Sequence, residues 1–366
     1  MVDALRSEHD LAEVRALLQL DATPKVGLRT LKRLVEEFGS ARQALRAPAH
    51  LFSRVAGSVA VVSRLDPEVL TRVEHGLHEA ERLEMTVCTW RDPLYPEAFH
   101  QLSDPPPVLF LRGDVTLLKT PSVTIVGARR ATARGRDVAQ RLGAALGRAG
   151  VTVTSGMALG IDGAAHRGAL SRGGKTIAVL GRGADQAYPR TNRGLFEDII
   201  AKGLVVSEFL PGTEALPHHF PRRNRLLAGL AHTIVVVEAA MKSGSLITVD
   251  HALDLGLDVY AIPGPIDEPS CEGSNALLAD GATVLVSVND FVSRVAGAHV
   301  AATAPPVDLS SAETAVYDGL ADRPRHIEEL AGQAGMEVPQ ALAVLTALEL
   351  RGFVEQRPGL RFRRAS

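Results

Sequence analysis

The sequence predicts an α/β protein: a doubly wound, mostly parallel sheet, preceded by a helical module and followed by a module of winged-helix outline. Three observations carry that prediction. Short runs dense in Val, Ile and Leu recur from 122 to 296 and alternate with helical segments, the pattern of strands covered on both faces. Before residue 85 and after residue 310, apolar residues fall at helical spacing instead. A hairpin signal, Pro358-Gly359 between alternating residues, follows the last helical run.

The elements follow in order. Residues 1–85 form the first expected domain, with Leu11, Val14, Leu17 and Leu18, then Leu28, Leu31, Leu34, Val35 and Phe38, at helical spacing. The stretch from Pro24 to Gly27 is a tight turn, and Gly39-Ser40 closes the helix it opens. Two short helices about such a turn resemble a helix-hairpin-helix, or SAM-like, module. There Lys25 and Arg29 would aid a DNA phosphate; the alternative is a small bundle that only packs. The second domain spans 86–296 and starts with a connector at 86–120, kept rigid and extended by Pro93, Pro96, Pro105, Pro106 and Pro107. Strands are expected at 123–127, 151–155, 176–180, 204–207, 233–237, 258–262 and 283–286. A helix with Val138, Leu142 and Leu146 on one face joins the first two. Residues 297–309, rich in Ala and Pro, read as a linker. The last domain, 310–366, places helices at 311–320, 326–334 and 338–350 ahead of the hairpin.

Bulk properties narrow the function. The chain has 366 residues, enough for two or three domains, and 46% are hydrophobic. Its formal net charge is −2, so a nucleic-acid surface must come from local clustering. Cys88 and Cys271 lack metal-ligand spacing and are too few for a disulfide framework, which fits buried thiols in a reducing cytosol. The opening residues carry no secretory pattern, and no apolar run is long enough to span a bilayer. The expected location is the cytoplasm.

Chemistry concentrates in the turns. The run at 123–127 leads into Gly127-Ala128-Arg129-Arg130. Backbone N–H groups at such a turn, with fixed guanidinium charge beside them, suit phosphate. A dinucleotide fingerprint would need a second glycine where Arg129 stands, and an acid after the second strand, where Ser155-Gly156 stands. Ordinary dinucleotide binding is thereby disfavoured. In the next turn, Asp162 is expected to clamp the loop and His166 to be a packed histidine, since no nucleophile or metal partner accompanies them. The turn at 181–192 offers further backbone donors, with Asp185, Tyr188 and Asn192 shaping it. Phe220-Pro221-Arg222-Arg223-Asn224-Arg225 follows. Three arginines in four residues cannot share one helix face, so one or two are expected to face the groove and one to brace the fold. Finally, Met241-Lys242-Ser243-Gly244 opens a helix with hydroxyls and backbone donors. Ser243 lacks a nucleophile-elbow context. A related nucleotide-hydrolase pattern would place a glutamate between Gly244 and His251, where none occurs. Glu238 is expected to scaffold its turn.

Together these motifs resemble the DNA-processing protein A family, also called Smf. The residues that carry the resemblance are Tyr95-Pro96 with Asp104-Pro105-Pro106; Val126-Gly127-Ala128-Arg129; Ser155-Gly156 through Gly160-Ile161-Asp162; Phe220 through Arg225; Ser243-Gly244-Ser245-Leu246 with Thr248; and Gly273 to Asn275 with Gly281-Ala282. It is strong over about 90–290 and looser in both flanks. It implies an extended Rossmann-like domain that binds single-stranded DNA, a homodimer, and a recombination mediator. Such a mediator protects incoming strands in natural transformation or repair and loads the RecA recombinase on them. No catalysis and no cofactor are implied. By motif match, with Arg130 and Asn224 included, the DNA site comprises Gly127, Arg129, Arg130, Ser155, Gly156, Phe220, Arg222, Arg223, Asn224, Arg225, Lys242, Ser243 and Gly244, with Phe220 contacting a base. A local departure is Arg134, where many relatives carry an aromatic residue; arginine can itself stack on bases.

Aromatics are 4% of the chain, so binding is expected to be led by phosphate, insensitive to sequence and steeply salt-dependent. The segment 277–286 would end the sheet and either support self-association or simply be a core strand. In the last domain the helix at 338–350 holds no Lys or Arg, which disfavours base reading. Arg357, Arg361, Arg363 and Arg364 on the hairpin would either touch duplex phosphates or form a protein-binding wing. Two other functions stay open at this level. One is a Rossmann-like nucleotide-binding enzyme of hydrolase type; the other is a winged-helix regulator with a structural central domain.

Overall fold

The computed structural model describes residues 8–58, 64, 66–302, 309–320, 324–351 and 353–364. They fall into two compact units, each drawn from separate stretches of chain: Met1–Leu118 with Ala178–Arg223, and Lys119–Ile177 with Asn224–Ser366.

The first unit holds helices α1 (Glu8–Asp21), α2 (Leu28–Phe38), α3 (Ala41–Arg46), α4 (Ala49–Ala56) and α5 (Pro67–Arg82). Their apolar faces meet around Leu17, Leu20, Leu31, Leu34 and Phe52, all buried. The turn ahead of α2 has the expected form. Lys25 sits at positive φ (69°), Gly27 caps α2 with its backbone only, and Lys25 and Arg29 are exposed. Residues 59–63 and 65, inside the helical region expected from sequence, lie outside the described residues.

The connector expectation needs correcting. Residues 86–120 are not a plain extended connector: they contain two strands, β1 (Thr86–Thr89) and β2 (Val108–Gly113), paired antiparallel from Thr86↔Leu111 to Thr89↔Val108, and two short 3-10 helices, Glu97–Gln101 and Val115–Lys119. The Pro-rich run lies between them, fixed where Tyr95 Oη donates to the Pro106 carbonyl at 2.8 Å. The VLFL run of β2 is buried throughout and so shows no alternation, and neighbouring prolines masked it further. β2 also pairs antiparallel with β6 (Leu204–Ser207), from Phe110↔Ser207 to Gly113↔Leu204. Helix α8 (Arg193–Lys202) precedes β6.

The second unit carries the parallel sheet. Strands β3 (Ser122–Val126), β4 (Thr152–Ser155), β7 (Thr233–Val236), β8 (Asp258–Ala261) and β9 (Thr283–Val284) lie in the order β4-β3-β7-β8-β9, every pair parallel. Strand β5 (Thr176–Val179) crosses the boundary between the units. Every expected central strand is present. The last is shortened to two exposed residues, because the edge beyond β9 has no further strand to cover it.

Helices α6 (Ala133–Arg148), α7 (Ile161–Leu170), α10 (Gly244–Asp254), α11 (Glu272–Ala279) and α12 (Val288–Ala302) connect or follow these strands. Helix α9 (His219–Leu230) leads into β7. Val123, Ile125, Leu142, Leu146, Val153, Ile161 and Val235 form the core. Helices α6 and α7 approach through small residues. A Cβ on Gly143 would stand 2.3 Å from the Ala165 carbonyl, and one on Gly168 would stand 2.1 Å from that of Gln140.

Helix α12 runs to Ala302, so 297–302 of the expected linker is helical, as its alanines favour; residues 303–308 lie outside the described part. The C-terminal module has helices α13 (Ser311–Gly319), α14 (Ile327–Ala334) and α15 (Val338–Leu350), with strands β10 (Arg325–His326), β11 (Val354–Arg357) and β12 (Arg361–Arg364) in the order β10-β12-β11. A capping box between Ser310 and Glu313 starts α13. Leu330, Ala341, Leu345, Leu348 and Phe362 fill the module's core. Three helices and a hairpin confirm the winged-helix outline.

Because the α6–α7 contact is backbone against backbone, Gly168→Ala should destabilise the protein by about 1–3 kcal/mol. A urea midpoint shift at unchanged m-value would show it; an unchanged midpoint would contradict the contact.

Candidate nucleic-acid interface

Three turns at strand ends, all in the second unit, build the site. The first follows β3. Its Gly127 is confined: a Cβ there would meet Ile161 Cγ1 at 2.7 Å and the Glu238 carbonyl at 2.8 Å. Ala128 N–H donates to that carbonyl at 2.7 Å. The Glu238 carboxylate accepts from Thr132 N–H at 2.9 Å and from Thr132 Oγ1 at 2.5 Å, while Thr132 caps α6 by accepting from Gly135 N–H at 2.9 Å. Glu238 is buried (5% exposed), and Gly135 makes room for it, since a Cβ there would fall 2.3 Å from the carboxylate. Residues 128 and 132 are thus tied to one side chain and its backbone. Arg129 and Arg130, between them, project outward and are exposed. Glu238 is the scaffold that the sequence predicts.

The second turn follows β4 and closes on the first. Gly160 takes φ 77°, and a Cβ there would stand 2.2 Å from the Ala128 carbonyl. Ile161 N–H donates to the same carbonyl at 3.3 Å. Ser155 and Gly156 are buried, and the Ser155 hydroxyl donates to the Ile125 carbonyl at 2.6 Å. That hydroxyl therefore ties β4 to β3. Asp162 accepts from Ala158 N–H at 3.3 Å, the expected loop clamp. His166 is fully buried with Nδ1 at 2.6 Å from Thr176 Oγ1, the expected packed histidine.

The third turn follows β7. Lys242 and Gly244 are exposed. Ser243 caps α10, accepting from Ser245 N–H at 3.3 Å. Asn224, buried on α9, donates through Nδ2 to the Gly244 carbonyl at 2.8 Å. Gly273 and Ser274 N–H groups donate to the Ala239 carbonyl at 2.7 and 3.1 Å, and Asn275 holds Gly264 through both its N–H and its carbonyl. These bonds explain the Gly273-to-Asn275 motif as support for the Lys242 turn.

The arginine-rich run differs from expectation. Arg225 is among the largest fully buried side chains, and Arg223 is 4% exposed, donating to the Val179 carbonyl. Arg222 is partly exposed, but its Nε lies 2.9 Å from Glu208 and its Nη2 3.4 Å from Asp21. Burial pulls the Arg222 guanidinium down, yet the Glu208 and Asp21 charges outweigh it and hold the group above its ordinary value. Two of the three arginines brace the interior and the third is ion-paired, because α9 lies against the fold along this stretch. Within the first unit, Phe220 packs over Gly181, and its ring centroid lies 5.5 Å from that of Tyr188. Tyr188 is 39% exposed, so a residue read only as a loop-shaper also presents an aromatic face beside Phe220. Asp185 does shape its loop, accepting from Gly212 N–H at 3.1 Å. Both cysteines are buried, and burial raises the Cys271 thiol.

The model of the DNA recombination-mediator protein A family matches residues 86–296, and a winged-helix model of the same family matches 300–359. Protein Smf of Escherichia coli is 33% identical over 85% of this chain and 91% of its own. The DNA processing protein DprA of Streptococcus pneumoniae is 42% identical over 56% of this chain and 72% of its own. The chain belongs to the DNA recombination-mediator protein A family. An X-ray structure of the Streptococcus pneumoniae protein aligns with a TM-score of 0.66 at 32% identity, over 79% of this chain and 98% of that one. A structure of the Helicobacter pylori family member, described for its single-stranded DNA binding mode, aligns at 0.54 and 30% identity, over 59% of this chain and 98% of that one.

The family's winged-helix module holds its hairpin arginines differently from either sequence expectation. Arg357 and Arg363 each lie 2.9 Å from a different oxygen of Asp258 on β8, and each also pairs with Glu355, at 2.9 and 2.7 Å. Arg364 lies over the Tyr317 ring, 4.8 Å from its centroid. Arg357 and Arg363 therefore dock the hairpin onto the parallel sheet, while Arg364 packs within the module. For Arg363, burial acts downward, but the Asp258 and Glu355 charges prevail and hold it above its ordinary value.

Removing the shared acid tests that docking. Asp258→Ala should leave two cations with one partner and speed amide hydrogen exchange in the hairpin strands β11 and β12, whereas Asp250→Ala, an exposed acid, should not. Equal exchange in both would refute it. Glu238→Ala removes two charge-assisted hydrogen bonds and should cost about 2–4 kcal/mol in a denaturant titration. A loss below 1 kcal/mol would contradict its role.

Proposed function

We propose that this chain binds single-stranded DNA through the three clamped turns and acts as a recombination mediator without catalysis. The observation that carries the proposal is the pair Arg129 and Arg130, exposed on a turn whose ends are fixed to Glu238. A turn fixed at both ends lowers the backbone-ordering cost of meeting phosphate. Lys242 and the α10 N-terminus add charge and backbone donors on the neighbouring turn. The Helicobacter pylori relative, described for single-stranded DNA binding, supports the same ligand here. Buried Asn224 holds the third turn at Gly244, and Ser155, next to Gly156, ties β4 to β3. In the first unit, taken by itself, buried Arg223 braces the Val179 carbonyl, and Phe220 with Tyr188 offers a face on which a base can stack.

The wider role is protection of incoming strands and loading of RecA during natural transformation or repair, in the cytoplasm. A homodimer suits it, since the exposed edge at β9 presents Val284 (47% exposed) and Val286 (81%). Two copies would hold one strand with avidity and yet let each contact release. No helix among the described residues is long and apolar enough to cross a membrane. The nucleotide-enzyme alternative lacks support because Glu238, the acid nearest the third turn, is engaged by Thr132.

Fluorescence anisotropy with labelled oligo-dT and matching duplex across a salt series tests the proposal. The wild type should prefer the single strand. Arg129→Ala/Arg130→Ala should weaken it at least roughly tenfold and flatten the slope of log K against log salt by about 1.4, at about 0.7 per lost phosphate contact. Unchanged binding would sink the assignment. Faster RecA filament growth on coated DNA in the presence of the wild type, and not of the double variant, would carry the loading role.

A further inference from the structure

A second cationic feature lies in the same unit, apart from the three turns. Helix α6 carries four arginines and a single acid, Asp137. Arg134, Arg141 and Arg148 stand seven residues apart, close to two full turns, so they form one stripe rising about 10 Å per step. All three are exposed. The stripe forms one wall of a cleft of about 790 Å³, which Arg172, after α7, also lines. The facing wall is the segment 285–289, including Leu285, Ser287 and Asn289. Among the residues lining the cleft the acid is Asp137, in an exposed pair with Arg141 at 2.9 Å, while Arg134 also borders a smaller cleft that Glu238 and Glu268 line. Exposed pairs of this kind are weak and readily exchanged for another anion.

We propose that this cleft is a second binding segment for a single-stranded nucleic acid, continuing the path from the Arg129 turn along α6. Arg134 lies in the first turn of α6, directly after Arg129 and Arg130 in the chain. From there the stripe extends about 21 Å to Arg148. That length matches roughly six phosphates of a stacked strand, fewer of an extended one. A solvated helix face would be convex and mixed in sign. Here four guanidinium groups converge on one concavity in a chain whose net charge is −2. Guanidinium is also the cation best suited to phosphate oxygens and to stacking on bases.

The inference rests on the single-strand reading for its ligand but not on the Arg129 turn for its residues, so the two fail separately. The test is anisotropy with oligo-dT of about six and about twenty nucleotides, spanning the range of known single-strand sites. Arg141→Ala/Arg148→Ala/Arg172→Ala changes only exposed side chains. It should weaken the long oligonucleotide at least roughly tenfold and flatten its salt slope by about 2, from three lost contacts. The short oligonucleotide, held at the turns, should bind as to wild type. Arg141→Lys/Arg148→Lys/Arg172→Lys should restore most of the slope. Wild-type affinity and slope for the long strand in the alanine triple would overturn the proposal and leave the cleft to another anionic partner, such as an acidic protein surface. Equal weakening at both lengths would overturn it too, because the cleft would then not be a separate segment. Arg129→Ala/Arg130→Ala, run alongside, reports on the turns alone.

Discussion

The Glu238 side chain is the constraint on which the rest of the site depends. Its carboxylate holds Thr132, its carbonyl holds Ala128, and the two arginines lie between those anchors. A buried carboxylate is tolerated only when hydrogen bonds replace its water, and here Thr132 supplies two. Gly127 and Gly135 follow from that choice, since a Cβ at either would press on Glu238. The second turn follows as well, because Gly160 must approach the Ala128 carbonyl at positive φ. The carboxylate thus requires Gly135, while close backbone approaches at Glu238 and Ala128 confine Gly127 and Gly160, and the β-to-α turn that carries two guanidinium groups is fixed at both ends.

The arginine-rich run shows the complementary principle. Guanidinium groups at 223 and 225 are inside the fold, where an unpaired cation would cost several kcal/mol. Arg223 reaches the Val179 carbonyl, and Asn224 reaches that of Gly244. Helix α9 therefore uses its polar side chains to pin the ends of strands and turns. The exposed cations Arg129, Arg130 and Lys242 lie outside this run, and the Asn224 bond holds the turn that carries Lys242.

Much of this was legible from the residues. The parallel strands and the winged helix declared themselves through apolar periodicity, and the structural roles of Asp162, His166 and Glu238 followed from the absence, in the sequence, of a nucleophile, metal-ligand or hydrolase motif around them. Strands β1 and β2 did not, because prolines flank a run buried on both faces and no period survives. Nor did burial of Arg223 and Arg225, since three arginines beside a turn carry the same one-dimensional signal whether they face solvent or carbonyls. The stripe on α6 was readable in principle as a seven-residue spacing. Its concavity was not, because that depends on residues 285–289 from a distant part of the chain.

Charge economy connects these features. A chain of net charge −2 cannot attract a polyanion globally, so each cation must be either exposed in a group or neutralised in place. Asp258 and Glu355 neutralise Arg357 and Arg363 and fasten the hairpin to the sheet. Glu208 and Asp21 do the same for Arg222. The α6 stripe is treated differently: three exposed arginines share one exposed acid. Under the proposed single-strand reading, ion pairing removes Arg357 and Arg363 as rival contacts for the strand. The exposed cations of the Arg129 turn and of α6 are then the ones a phosphate chain meets, and the Debye length of about 8 Å at physiological salt keeps their attraction local.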